Sequence, residues 1–219
     1  MKKLWVVVAV VILWSTPVGA FPRHAGASGR FQSLMFQIGF GVDGCTDHWC
    51  DHVDPLVFLR TNVGFRFLKY VEVGVHVGLL FGHPDAPAGR DVDTDWNVFL
   101  GPEVRGLLPL DRIAGFPMDL WAGLALGWDR FMESGKQYFG PWWVDYDTRA
   151  DGVALAWGFG ADYVLTSRVG LGLGFWFYKP WFNDECTEAR GSIRCDDVDN
   201  DDIGVIWTVG FQATYYWAL

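Results

Sequence analysis

The sequence predicts an all-β fold, an eight-stranded antiparallel transmembrane up-and-down β-barrel, and three observations carry that expectation. Bulky apolar residues recur at every second position through eight segments, the period of a strand and not of a helix. The face opposite them is largely Gly and Ala with scattered charges. The connections between segments alternate short and long. A chain of 219 residues, 51% hydrophobic and 17% aromatic with 13 Trp, suffices for one such domain.

Residues 1–20 read as a secretory signal peptide and residues 21–219 as the barrel. Lys2 and Lys3 form a positive start, Leu4 to Trp14 is an unbroken apolar run, and Val18-Gly19-Ala20 suits cleavage before Phe21. The run is shorter than the ~20 apolar residues a spanning helix needs. No Cys stands at the cleavage point, which argues against a lipoprotein.

The strands follow in order. Leu34, Phe36, Ile38, Phe40 and Val42 line the first. Val57, Leu59, Thr61, Val63, Phe65 and Phe67 alternate with Arg60, Asn62, Gly64 and Arg66 in the second. In the third, Val71, Val73, Val75, Val77, Leu79 and Phe81 alternate with Glu72, Gly74, His76 and Gly78. Trp96, Val98, Leu100 and Val104 mark the fourth, with Asn97, Gly101, Glu103 and Arg105 between them. Leu120, Ala122, Leu124, Leu126 and Trp128 mark the fifth. The sixth sets Val153, Leu155, Trp157, Phe159 and Tyr163 against Gly152, Ala154, Ala156, Gly158, Gly160 and Asp162. The seventh sets Val169, Leu171, Leu173, Phe175 and Phe177 against Gly170, Gly172 and Gly174. The last carries Val205, Trp207, Val209, Phe211, Ala213, Tyr215 and Trp217, opposite Thr208, Gly210, Gln212 and Thr214.

The direction of the pattern separates a membrane barrel from a soluble sandwich or lipocalin. A solvent-facing surface of Gly-x-Gly-x-Gly packs nothing and weakens its strand. Inside a narrow eight-stranded barrel the same glycines leave room, and the bulky face then meets lipid. Connections at Leu68-Lys69-Tyr70, around Pro109 and at Thr166-Ser167-Arg168 are short, whereas 43–54, 82–94, 132–150 and 179–202 are long. With both termini periplasmic, every long loop falls outside. All four cysteines lie in long loops, and Cys45 with Cys50 and Cys186 with Cys195 is the simplest pairing in an oxidising compartment. Neither spacing is the Cys-x-x-Cys of a zinc site.

These features resemble the small bacterial outer-membrane barrels of the OmpA-like and OmpW-like kind. The segment Thr208-Val209-Gly210-Phe211-Gln212-Ala213-Thr214-Tyr215-Tyr216-Trp217, a Gly followed by alternating aromatics, looks like their assembly signal. Such proteins often end on Phe, whereas this chain ends Trp217-Ala218-Leu219. The resemblance implies a Gram-negative outer-membrane location, contact with outer-membrane lipid and lipopolysaccharide, and handling by the barrel assembly machinery.

Strand parity places Arg60, Arg66, Glu72, His76, Glu103, Arg105, Asp129 and Asp162 in the lumen, with Asn62 and the bulky Phe58, Phe99, Trp121, Trp176, Tyr178 and Tyr216. A hairpin centred on Lys69 sets Arg66 opposite Glu72, as an ion pair, and Asn62 opposite His76. Buried charges must pair, so the expectation is a structural network that plugs the lumen of a monomer with a structural or surface-interaction role. The alternatives are a narrow pore or small-hydrophobe conduit, and thirdly a lipid-modifying enzyme. Acyl chemistry needs a nucleophile beside a base. Ser28, Ser33, Ser134, Ser167 and Ser192 do not alternate with a His on any strand, so no catalytic residue and no cofactor is expected. His48 and His52 beside Asp47 and Asp51 have ligand-like spacing, but loop histidines are ordinarily solvated. Asp197, Asp199 and Asp201 are weak calcium candidates, without the Gly and Glu of an EF-hand loop. Trp142 and Trp143 are expected to anchor their loop in the lipid interface. A net charge of -9 disfavours nucleic acid. The exported protein should begin at Phe21 by N-terminal sequencing and show heat-modifiable gel migration; recovery as a detergent-free soluble monomer retaining Met1 would refute both.

Overall fold

Aromatic and β-branched residues at alternate positions favour a pleated, half-buried strand, and the computed structural model is built of strands throughout its described residues. These are 31–46, 57–67, 70–82, 90–111, 113–139, 142–166, 168–200 and 203–218. The signal peptide, Cys50 and with it the Cys45–Cys50 pairing, His24, His48, His52, His83 and Asp201 lie outside them. The strands are β1 (Phe31–Thr46), β2 (Val57–Phe67), β3 (Val71–Gly82), β4 (Arg90–Pro109), β5 (Met118–Phe139), β6 (Trp142–Val164), β7 (Val169–Ala189), β8 (Ser192–Asp197) and β9 (Val205–Ala218).

Each of the first seven pairs antiparallel with the next, β7 pairs with β9, and β9 pairs with β1. The pairing therefore returns to its start through eight strands, with β8 attached to β7 outside the ring. Closure gives every wall strand two neighbours, as a lipid-facing sheet requires. The β2–β3 register sets Arg66 opposite Glu72 and Asn62 opposite His76.

Around the ring the exterior is apolar. Phe40, Leu126, Phe159 and Phe211 are each more than half exposed, and Val63, Val75, Val104 and Leu173 stand beside them. Tyr163, Tyr215 and Trp217 flank this belt toward the short turns, and Trp128 and Trp181 toward the other rim. Such a continuous apolar exterior is a lipid-facing one.

The strands are longer than a membrane needs. Spanning takes ~9–11 residues, but β5, β6 and β7 hold 22, 23 and 21. Residues expected as loops, 132–139, 142–150 and 179–189, continue the same ladders beyond the belt. There the faces exchange character. Tyr146, Thr148, Ala150 and Phe182 point inward and are buried, while Asp145, Asp147 and Arg149 point outward and are exposed. Ala150, Phe182 and Ile203, with Phe131 and Val198 against them, form a small apolar core inside this extended rim.

The β7–β8 hairpin turns through Arg190 (φ 54°) and Gly191 (φ 72°), two successive left-handed residues that match the twist of a tight hairpin. Cys186 and Cys195 face each other on it and are disulfide-bonded, with Cα atoms 4.0 Å apart. This bridge closes a local hairpin outside the ring, so reduction should leave the heat-modifiable migration of the barrel unchanged. A reduced protein that migrates as the unfolded form would place the bridge in the barrel's own stability.

Candidate functional site in the lumen

Strand parity sends one residue in two to the interior, and an eight-stranded lumen has little space to share among them. Two indoles take much of it. Trp121 (β5) and Trp176 (β7) are buried and stacked, with ring centroids 5.5 Å apart. They fit because glycines lie beneath them: a Cβ on Gly160 would stand 2.5 Å from Trp121 Cζ2, and one on Gly158 would stand 2.5 Å from Trp176 Cδ2. Arg60 lies over the Trp176 ring at 4.2 Å and Arg105 over the Trp121 ring at 4.6 Å, so each guanidinium is covered by an aromatic face.

Glu103 is the anion these two cations share. Arg60 Nη2 is 3.4 Å from its Oε1, and Arg105 Nε donates to the same oxygen. Asn62 Nδ2 donates to Oε2 at 2.7 Å, and His76 Nδ1 lies 2.9 Å from Oε2. Gln37 Oε1 accepts from Arg60 at 2.9 Å and from Arg105 at 2.6 Å, while Gln37 Nε2 donates to Thr214 at 2.8 Å. His76 Nε2 is 3.0 Å from the Tyr178 hydroxyl. Strands β1 to β4, β7 and β9 are thus joined across the interior by one polar cluster.

A second cluster lies toward the short turns. Arg66 and Glu72 are cross-strand partners, but their closest charged atoms are 3.9 Å apart. Arg66 Nη2 instead reaches Asp119 Oδ2 at 2.6 Å, and Glu72 accepts from the Tyr216 hydroxyl at 3.2 Å. The Arg66–Glu72 pair expected from parity is present, as the longer arm of a triad in which Asp119 is the nearer anion. Asp162 accepts from Gln212 Nε2 at 2.5 Å and Asp129 from Asn97 Nδ2 at 3.1 Å, so both carboxylates bind amides.

Gln37 and Asp119 have central places that parity reading of charges did not give them. Gln37 alternates with Phe36 and Ile38, a signal that counts an uncharged amide as unremarkable. Asp119 precedes the apolar run of β5 and reads as a turn residue.

At the extended rim, Arg130 and Asp151 form a two-bond ion pair on the outward face, at 2.6 and 3.0 Å, which marks the edge of the apolar belt. Beyond it Asp95 faces inward opposite Glu133. Burial, and then the negative charge of Glu133, push the Asp95 carboxyl up to about 6. Asp197 and Asp199 are exposed, and among the described residues no three His, Cys, Asp or Glu side chains are grouped to hold a metal.

No protein-family model and no curated protein sequence matches this chain. Solved structures do. Neisserial surface protein A superimposes with a TM-score of 0.58 at 13% identity, over 88% of this chain and 99% of that one. A major outer membrane protein from Thermus thermophilus superimposes at 0.57 with 11% identity, over 84% of this chain and 99% of that one. At such identities the likeness is one of fold, and the fold is that of a small outer-membrane β-barrel.

Removing a buried ion's partner costs on the order of 3–5 kcal/mol. Glu103→Ala, which strands both Arg60 and Arg105, should reach that range in denaturant unfolding of the refolded protein. Asp119→Ala should cost more than Glu72→Ala, since it removes the nearer partner of Arg66. Equal midpoints for those two variants would contradict the triad.

Proposed function

We propose that this chain is a bacterial outer-membrane protein whose lumen is closed by its own side chains and which works through the rim standing clear of the membrane. The observation that carries the reading is the Glu103 cluster. Its Arg60, Arg105, His76 and Asn62 are all buried, and the Trp121–Trp176 stack lies across it. A conducting lumen would need these groups to part, leaving charges unpaired in a low-dielectric interior. The apolar core of Ala150, Phe182 and Ile203 adds a second obstruction nearer the extended rim.

In this reading both termini are periplasmic, the short turns face the periplasm and the extended rim faces out. The belt meets lipid and lipopolysaccharide, assembly passes through the barrel assembly machinery, and the working form is a monomer without a cofactor. His76 is held between Glu103 and the Tyr178 hydroxyl inside the buried network, which supports a structural place for it over a lipid-modifying one. The extra length of β5, β6 and β7, which crossing a membrane does not require, supports a surface-interaction role.

Planar-bilayer recording on the refolded protein tests the closed lumen. The parent should give no steady unitary current. A steady current from the parent would overturn the reading in favour of a narrow pore.

A further inference from the structure

We propose that the end of the β5–β6 hairpin is an aromatic wedge that enters the headgroup region of a facing, electrically neutral lipid bilayer; this rests on the reading that the extended rim is the outer one. Tyr138, Trp142 and Trp143 are 50%, 69% and 54% exposed. Their own membrane is out of reach. From Arg130 at the edge of the belt to Phe139 the strand runs for about 30 Å at ~3.3 Å per residue, which a strand tilt of ~40° turns into a rise of about 23 Å. The outward face between carries Arg130, Met132, Ser134 and Lys136, and on the paired strand Asp145, Asp147 and Arg149, so it is polar but for one methionine. The expectation that Trp142 and Trp143 anchor this segment in the adjacent lipid interface is thereby replaced.

The shape of the tip selects its occupant. Tyr138 and Trp143 are cross-strand partners on the outward face, with ring centroids 5.4 Å apart and tilted by 54°. Trp142 precedes Trp143 in the same strand, so it points to the opposite face. Rings on both faces make a wedge that is satisfied when surrounded, as in a headgroup layer, whereas a sugar-stacking platform offers one flat face. Trp and Tyr have an apolar body and a polar tip, which is why they settle at membrane interfaces. The hairpin is already ordered by its ladder, so little ordering is left to oppose insertion.

Charge decides the kind of bilayer. The charged side chains at the level just behind the wedge are Lys136, Asp145 across from it on β6 and Asp91 across from it on β4, with a net charge of -1. The neighbouring β7–β8 hairpin carries Asp184, Glu185, Glu188, Asp196 and Asp197 against Arg190 and Arg194. An anionic surface is repelled by that neighbour and a zwitterionic one is not.

The test uses the full chain in nanodiscs, floated with separate phosphatidylcholine vesicles. The parent should co-float, and the Trp142→Ser, Trp143→Ser double variant should lose binding by about tenfold or more. The Trp142→Tyr, Trp143→Tyr variant should keep most of it, and adding phosphatidylserine to the vesicles should weaken the parent. Heat-modifiable migration checks that each variant is folded. A parent that stays with the nanodiscs, a Ser variant that floats like the parent, or capture of the parent by neutral glycans but not by vesicles would overturn the inference. Labelling of Lys136 by a membrane-impermeant amine reagent on intact cells separates the two readings. If Lys136 is labelled and no vesicles bind, the wedge alone fails; if it is labelled only after the outer membrane is opened, the outward rim fails as well.

Discussion

What lies outside the wall governs the rest of this molecule. Where the exterior is hydrocarbon, no water can satisfy a free backbone N–H or C=O, so the sheet must close on itself. The β1–β9 and β6–β7 ladders meet that demand. The same exterior fixes side-chain polarity, with Phe40, Leu126 and Phe211 outward and Arg60, Glu103 and Asn62 inward. Past the Arg130–Asp151 pair the strands run on, with one register shift in the β6–β7 ladder at Asp151/Gly152, but the exterior is now aqueous. The outward positions become Asp145, Asp147 and Arg149, and the inward ones become Tyr146, Ala150 and Phe182. One ladder thus carries two opposite patterns, and the switch between them is the membrane boundary.

Closing only eight strands has its own consequence inside. Little volume remains, and most inward positions must be small for a few to be large. Gly158 and Gly160 give their space to Trp176 and Trp121, whose faces in turn cover Arg60 and Arg105. The two guanidiniums can then share Glu103 and Gln37 without reaching bulk water. Glycines, indoles and charges are therefore parts of one solution rather than separate features.

How much of this was legible in the sequence varies with the same boundary. Within the belt, period two and the Gly-rich second face revealed the wall strands, their faces and the Arg66–Glu72 and Asn62–His76 registers. Beyond it the strands were hidden because they were sought as apolar alternation. The run Val144-Asp145-Tyr146-Asp147-Thr148-Arg149-Ala150 alternates as regularly as any segment of the belt, but its outward members are charged, so it read as loop. The short β8 escaped notice because all six of its residues are exposed. Which anion holds Arg66 was not legible either. Asp119 reaches it from a strand that is not adjacent to β2, and parity gives faces and neighbours but not distances across a lumen.

The buried charges are not explained by stability alone, since well-packed apolar residues often serve as well as a buried ion pair. Register offers a better account. A strand with glycines on one face and interchangeable aliphatics on the other is poorly specified along its length. Sliding β3 by two residues against β2 would keep every Val outward and every Gly inward, at little cost in packing. The same slide would carry Glu72 from its place opposite Arg66 and His76 from its place opposite Asn62. It would also break the contacts of His76 and Asn62 with Glu103. Charge that is costly to leave unpaired makes slipped arrangements worse than the native one by more than packing can. On this argument the network proposed to close the lumen is also what fixes the alignment of the wall, and the two roles cannot be separated by removing a single residue.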